Sequence, residues 1–110
     1  MTDEIGRTAP VRALNLISGD DFKWGYRWEN GVFPTNVELY LEFRNGPNGG
    51  WGDKWQFAIT GDTASIRVQS EVADAVPNRL GYRLIYRDKN VTPTDETVLC
   101  YGAVKRGQPR

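Results

Sequence analysis

Apolar and polar residues alternate along seven short segments of this chain. In the segment 36–44, apolar side chains occupy every second position: Val37, Leu39, Leu41 and Phe43. The same period of two recurs in the segments 11–17, 22–29, 54–60, 64–69, 81–88 and 97–105. This period is typical of β-strands that bury one face. Seven such strands in one chain predict an all-β fold, an immunoglobulin-like sandwich of two antiparallel sheets.

A short helical turn is predicted between the fifth and sixth strands, at residues 70–76. Ser70 is a suitable N-cap, Glu71 complements the helix dipole, and Pro77 ends the turn. A turn of this kind carries the chain from one sheet to the other in immunoglobulin-like sandwiches. Tyr82 follows the turn, where such folds place a tyrosine whose hydroxyl bonds to the preceding backbone.

The length of the chain indicates one domain. We predict a flexible N-terminal arm at 1–10, the sandwich domain at 11–106 and a C-terminal tail at 107–110. The last predicted strand is apolar on both faces, with Leu99 and Cys100 adjacent, so it should lie inside a sheet or be covered. The arm and the basic tail are expected to become ordered against neighbouring subunits.

The composition argues against several classes of function. The 14 basic and 14 acidic residues cancel, so no overall field attracts nucleic acid or a membrane surface. The chain has no histidine, which removes the commonest general base and metal ligand, and its single Cys100 has no partner for a disulfide. We therefore expect no enzymatic activity, no cofactor or metal, and no nucleic-acid or membrane partner.

Two groups of residues invite a functional interpretation. The glycine-rich loop 45–53 lacks the Lys-Ser/Thr of a phosphate-binding loop, but it offers Trp51, which either packs against the core edge or forms a flat binding platform. Charged residues share outward faces of two strands, Glu38 with Glu42 and Arg83 with Arg87. We expect these to pair across strands or to contact a neighbouring subunit.

Several short motifs, in order, are similar to the LtfC-like β-sandwich domains encoded by tailed phages of actinobacteria. They are GDDFKW at 19–24, FP at 33–34 before VEL at 37–39, GDTAS at 61–65, VADAVPNR at 72–79, YRL at 82–84 and YGAVKR at 101–106. Together they span most of residues 11–106. The glycine-rich loop 45–53 is atypical of this pattern.

The resemblance implies a structural component of a virion, assembled in the host cytoplasm, with no catalytic residues. We expect a minor capsid or decoration protein on the head shell, bound to the major capsid protein or other virion subunits, with self-association open. The alternative is a carbohydrate- or receptor-binding module on a tail or fibre, with Trp51, Trp55 and Tyr40 as its platform. The candidate partner-binding residues are Arg12, Trp51, Arg83, Arg87, Lys105 and Arg106.

Overall fold

The computed structural model describes residues 9–29, 31–45 and 50–107. This part of the chain forms eight strands and one short helix. In chain order they are β1 (Leu14–Ile17), β2 (Phe22–Arg27), β3 (Val37–Arg44), β4 (Trp51–Gln56), β5 (Ala58–Thr60), β6 (Thr63–Val68), α1 (Ser70–Ala73), β7 (Gly81–Asp88) and β8 (Asp95–Gly107). The predicted all-β class is confirmed.

The strands form a sandwich of two sheets of unequal width. The large sheet has the order β1-β8-β7-β3-β4, and the small sheet has the order β2-β6-β5. Neighbouring strands are antiparallel, except that β1 runs parallel to β8. The prediction that the last strand lies inside a sheet is confirmed, because β8 is hydrogen-bonded on both sides.

The predicted strand 54–60 is two strands that belong to different sheets. Its first part, β4, pairs with β3 in the large sheet, and its last part, β5, pairs with β6 in the small sheet. Phe57 lies at the crossing, where its N–H donates to the carbonyl of Leu39 at 2.9 Å and its ring is buried. Periodicity alone does not reveal the crossing, because alternate side chains point into the core on both sides of it.

The core lies between the inner faces of the two sheets, and aromatic rings connect them. Phe43 contacts Trp55 with ring centroids 4.6 Å apart, and Trp28 stacks on Tyr86 at 5.4 Å. The buried cluster consists of Leu14, Leu16, Phe33, Leu39, Leu41, Phe43, Trp55, Phe57, Ala64, Ile66, Ala73, Tyr82, Leu84, Cys100 and Val104. Phe33 and Ala73 lie in a loop and in α1; the others occupy inward positions of the alternating segments, and the alternation has one exception, in β8.

That exception is a bulge in β8. Leu84 lies opposite Cys100, but the next residue, Ile85, lies opposite Val98, so Leu99 is an extra residue in the ladder. A bulge shifts the alternation by one position. The predicted shared face of Val98 and Cys100 is therefore wrong, because Val98 lies on the outer face with Ile85.

The helical turn forms at the predicted place but begins differently. Gln69, not Ser70, is the N-cap residue, and it makes no side-chain capping bond, so the predicted cap is wrong. Asp21 supplies the acceptor instead: its Oδ1 receives the Ser70 N–H at 2.8 Å, while its Oδ2 accepts from Arg67 at 3.1 Å. The bond from Ser70 attaches the residue before β2 to the turn and satisfies one of the exposed N–H groups of the turn, while the bond from Arg67 attaches it to β6.

Tyr82 attaches the N-terminal segment to the large sheet. Its buried hydroxyl donates to the carbonyl oxygen of Arg12 at 2.8 Å, so the predicted bond to the backbone just before it is wrong. Burial, followed by the nearby thiol of Cys100, raises the pKa of this phenol, which therefore remains a donor. Arg12 also donates its N–H to the carbonyl of Tyr101, and Tyr101 donates to the carbonyl of Pro10.

The predicted arm and tail lie largely outside the described residues, which exclude 1–8 and 108–110. At both ends of the described residues, hydrogen-bonded structure extends further than the predicted limits of the domain at residues 11 and 106. Pro10 already accepts a bond from Tyr101, and β8 continues through Gly107. The predicted flexibility of the outermost residues stays a prediction.

Substitution of Gly102 tests the close approach of the N-terminal segment. A Cβ at this position would collide with the carbonyl oxygen of Arg12. We expect Gly102→Ala to lower the free energy of unfolding by about 1–3 kcal/mol, the range for overpacked sites. Gly25→Ala is the matched control, since its Cβ would lie an ordinary 3.8 Å from the Ala64 carbonyl oxygen. Equal urea midpoints for the two variants would contradict the close contact between Gly102 and the Arg12 carbonyl.

Asp21 makes stability depend on pH. The hydrogen bond from Arg67, and then the one from the Ser70 N–H, lower its pKa below the ordinary value of 3.8. A carboxyl with a lower pKa in the folded state stabilises the fold above the unfolded pKa, and this contribution is lost as pH falls below it. We expect Asp21→Asn to be less stable than the wild type near about pH 6 and equally stable near about pH 2.

Urea titrations at both pH values measure this difference, with Asp20→Asn as the control at the exposed neighbouring carboxyl. A difference between Asp21→Asn and the wild type that is the same at both pH values would show that the carboxylate charge is not responsible.

Candidate functional site

The outer face of the large sheet carries a group of charged and aromatic side chains that contact one another. Alternation in β3 and β7 points their polar residues outward, and the β3–β7 register places Glu42 opposite Arg83 and Glu38 opposite Arg87. The predicted cross-strand pairing is confirmed, because Arg83 Nε lies 2.6 Å from Glu42 Oε1 and Arg87 lies 3.7 Å from Glu38. Four predicted outward residues thus form two ion pairs.

Trp51 is the centre of this face. It begins β4 opposite Arg44, which places the indole between the guanidinium groups of Arg44 and Arg83. Their Cζ atoms lie 4.5 Å and 4.2 Å from the ring centroid. Each contact of this type contributes about 0.5–2 kcal/mol, depending on solvent exposure. Trp51 therefore holds two arginines on the surface, and we call these three residues the Trp51 cluster.

Glu42 fixes the position of Arg83 from below. It is only 5 % exposed, and it accepts the hydrogen bond from Arg83 and lies 3.9 Å from the Lys54 ammonium. A carboxylate buried this deeply requires such partners, because desolvation otherwise disfavours its charge. Lys54 also lies over the ring of Tyr40 at 4.9 Å. Burial, followed by the charge of Glu42, raises the pKa of that phenol.

At the other end of the face, Arg87 joins three acceptors. It lies 3.7 Å from Glu38 and 3.9 Å from Glu96, and its Nε donates to the hydroxyl of Thr94 at 3.3 Å. Lys89 adds a second cation 3.8 Å from Glu38. Here two cations face two carboxylates, whereas at the Trp51 end Arg83 and Lys54 share the single carboxylate of Glu42.

An open groove of about 820 Å³ lies beside the Trp51 cluster. Its walls combine two guanidinium groups, an indole, a phenol and one carboxylate, contributed by Arg44, Arg83, Trp51, Tyr101 and Glu96. Arginine and aromatic residues are enriched where proteins bind one another. The composition of this groove is therefore typical of a surface that contacts another protein.

The platform expected for carbohydrate binding is not formed. Trp55 is buried in the core against Phe43, and Tyr40 is only 2 % exposed beneath Lys54. Trp51 alone remains near the surface, with two guanidinium groups over its ring. Stacking of a sugar requires an uncovered aromatic face, so the predicted three-ring surface is wrong for this structure.

The other predicted contact residues lie elsewhere. Arg12 and Lys105 meet at a second, smaller groove of about 380 Å³ along β8. Arg106 turns inward: its side chain is 11 % exposed and donates to the carbonyls of Ala73 and Val76, each at 2.6 Å. That guanidinium binds the carbonyls at the end of the helical turn, where the Ala73 carbonyl also accepts the N–H of Val76. The structure thus assembles Trp51, Arg83 and Arg87 on one face and separates them from the other three.

Arg44 and Lys54 complete the site but are absent from the predicted contact residues. The outward pattern of β3 marks Arg44, and that of β4 marks Lys54. Their contact with Trp51 and Glu42 depends on the β3–β4 register, which shifts between Glu42 and Arg44. A one-residue shift in a hairpin cannot be read from alternation.

Two further features bear on chemistry. Within residues 9–29, 31–45 and 50–107, no group of three or more His, Cys, Asp or Glu side chains could hold a metal ion. In those same ranges, none of the helical structure is of a length and hydrophobicity that would cross a bilayer.

Comparison with known proteins identifies relatives of this fold. The family described as "LtfC-like, beta-sandwich domain" matches residues 8–107, which confirms the resemblance indicated by the motifs. A stretch of 32 residues is 47 % identical to the minor tail protein Gp6 of Mycobacterium phage L5, and one of 32 residues is 53 % identical to that of Mycobacterium phage D29. Each stretch covers 29 % of this chain and 10 % of the relative. The match therefore spans about a tenth of the length of these relatives.

Removal of the Glu42 side chain tests the support beneath the Trp51 cluster. Glu42→Ala leaves the partly buried Arg83 without its carboxylate, and we expect the free energy of unfolding to fall by about 1–3 kcal/mol. Glu96→Ala, at a more exposed carboxyl 3.9 Å from Arg87, is the control and should change it by less than about 0.5 kcal/mol. Chemical denaturation measures both. Equal losses would mean that burial of Glu42 does not strengthen its pairing.

Proposed function

The chain belongs to the family of LtfC-like β-sandwich domains, and from this premise we propose that it is a structural component of a phage tail. In this role it binds other virion subunits and performs no catalysis. The observation that carries the proposal is the family match across residues 8–107, together with the local identity to two phage tail proteins.

The tail is our choice over the head shell because of the relatives. Both are named minor tail proteins, and this supports a phage structural protein in the broad sense. The expected role as a minor capsid or decoration protein has no comparable support. The matched stretches are short, so the tail location is inferred from the relatives rather than from a feature of the fold.

We propose that the Trp51 cluster and its groove form the contact with the neighbouring subunit. Arg83 and Trp51 hold each other in place, and Glu42 anchors Arg83 from the core side. A side chain that is already ordered loses less conformational entropy on binding than a mobile one. Arginine and tryptophan are also the residue types that most often dominate binding energy at interfaces.

The absence of catalysis is proposed from chemistry. The sequence contains no histidine, and the buried carboxylate of the candidate site is paired with Arg83 and Lys54. A general base must reach the proton of a substrate, and the oxygens of this carboxylate face Arg83 and Lys54 instead. The position of Glu42 is therefore better suited to holding Arg83 in place than to transferring a proton.

Localisation on purified particles tests this proposal. We expect immunogold labelling with antibodies against the chain to decorate the tails of the phage that encodes it. Gold restricted to capsids would contradict the tail location and favour the head shell. Loss of the chain from particles washed at high salt, judged by mass spectrometry, would contradict a structural role.

Variants of the same phage test the contact surface. We expect Arg83→Glu to reduce the amount of the chain in particles by about tenfold or more, because it reverses a charge at the interface. Lys105→Glu makes the same charge change on the other groove and should leave incorporation unchanged. The opposite result would assign the contact to the groove along β8. Thermal unfolding of both purified variants separates loss of binding from loss of folding.

A further inference from the structure

The small sheet has an open edge at β2. The N–H of Trp28 donates to the carbonyl of Asp62 at 2.8 Å, continuing the register in which Tyr26 faces Ala64 and Trp24 faces Ile66. In an antiparallel pair, only alternate residues exchange hydrogen bonds with the neighbouring strand. The N–H and C=O groups of the residues between them therefore point away from β6: Lys23, Gly25 and Arg27. Among the described strands, none pairs with this side of β2.

A cleft lined mostly by apolar and aromatic side chains continues inward from this edge. Trp24 and Tyr26 point toward the large sheet yet remain 37 % and 38 % exposed. They line a cleft of about 270 Å³ together with Leu84, Leu99 and Cys100 of β7 and β8, and with Pro10 and Arg12 of the N-terminal segment. The cleft lies where a fourth strand of the small sheet would place its inward side chains. Every second residue of such a strand should be apolar.

The outer side of the same edge carries positive charge. Lys23 and Arg27 both point outward, with the side-chain-free Gly25 between them. Arg27 is paired with Asp62 at 3.0 Å, whereas no carboxylate in the described ranges lies within ion-pair distance of Lys23. Acidic side chains directly opposite these residues would form favourable cross-strand pairs.

We propose that β2 receives an extended segment of another protein, which adds to the small sheet as a fourth strand. This segment alternates apolar residues, which enter the cleft, with acidic residues, which face Lys23 and Arg27. Backbone groups supply the affinity, and the alternating side chains supply the specificity. A second copy of β2 is a poorer occupant, because it would bring another Lys23 and Arg27 to the same edge. This proposal goes beyond the role in the tail and does not depend on that role. It concerns the small sheet, whereas the Trp51 cluster lies on the large sheet.

A synthetic peptide tests the proposal directly. The probe is a capped heptapeptide that alternates glutamate with valine, titrated into the whole chain by calorimetry and by NMR. We expect saturable binding, with amide shifts centred on Lys23, Gly25 and Arg27. A peptide with lysine in place of glutamate should bind about tenfold more weakly or worse. Absence of binding by the glutamate peptide would overturn the proposal.

N-methylation of the peptide distinguishes strand addition from non-specific binding. Methyl groups on one alternate set of peptide amides should abolish binding, because those amides face β2, whereas methylation of the other set should be tolerated. Equal effects of the two methylated peptides would overturn the proposal.

Protein variants supply the matching controls. Gly25→Pro removes the central edge N–H, a change that edge strands tolerate, and should abolish binding, while Gly25→Ala retains it. Lys23→Glu should weaken binding about tenfold, and Lys105→Glu, on the large sheet, should not. Unchanged binding by both Gly25→Pro and Lys23→Glu would overturn the proposal. Sedimentation of the chain alone supplies a further test, since a dimer that Gly25→Pro dissolves would assign the edge to a second copy instead.

Discussion

The dry interior between a sheet of five strands and a sheet of three is the constraint on which the other features of this structure depend. Burial of apolar surface contributes roughly 25 cal/mol per Å², so the wider sheet must be covered as far as possible. Aromatic side chains extend the narrower sheet. Phe22 reaches Trp55 at 5.8 Å, and Trp24 reaches Phe57 at 6.2 Å. The same difference in width leaves the aromatic residues of β2 half-covered.

The crossing of the chain at Phe57 and the attachment of the N-terminal segment complete this enclosure. A single stretch of chain supplies an edge strand to each sheet, and Tyr82 and Gly102 together allow residues near Arg12 to lie against β8. Arg106 satisfies the carbonyls at the end of the helical turn. The basic residue Arg106 is thereby part of the fold, whereas Arg83 and Trp51 lie together on the outer face of the large sheet.

Much of the fold could be predicted because a period of two reports which side chains point inward. The outward pairs of Glu42 with Arg83 and Glu38 with Arg87 follow from the same reasoning, since adjacent strands bring opposite charges together. Features that depend on a local break in periodicity could not be predicted. The bulge at Leu99 is one, and the β3–β4 register shift that brings Arg44 onto Trp51 is another.

Contacts between residues far apart in the chain could not be predicted from the sequence either. Tyr82 bonds to Arg12, which lies 70 positions away in the chain, and nothing in the local pattern marks that carbonyl as its partner. The position in the virion is a different problem, because it is set by the partner and not by the fold of this chain. Alternation constrains a sandwich, but many unrelated functions use sandwiches.

Amide hydrogen exchange along β2 tests the central claim most directly. If β2 is the open edge of a narrower sheet, the amides of Trp24 and Tyr26 exchange slowly, because they bond to β6, and those of Lys23, Gly25 and Arg27 exchange rapidly. Uniform slow exchange of all five amides in the isolated chain would contradict the account, because it would show that another strand already covers this edge.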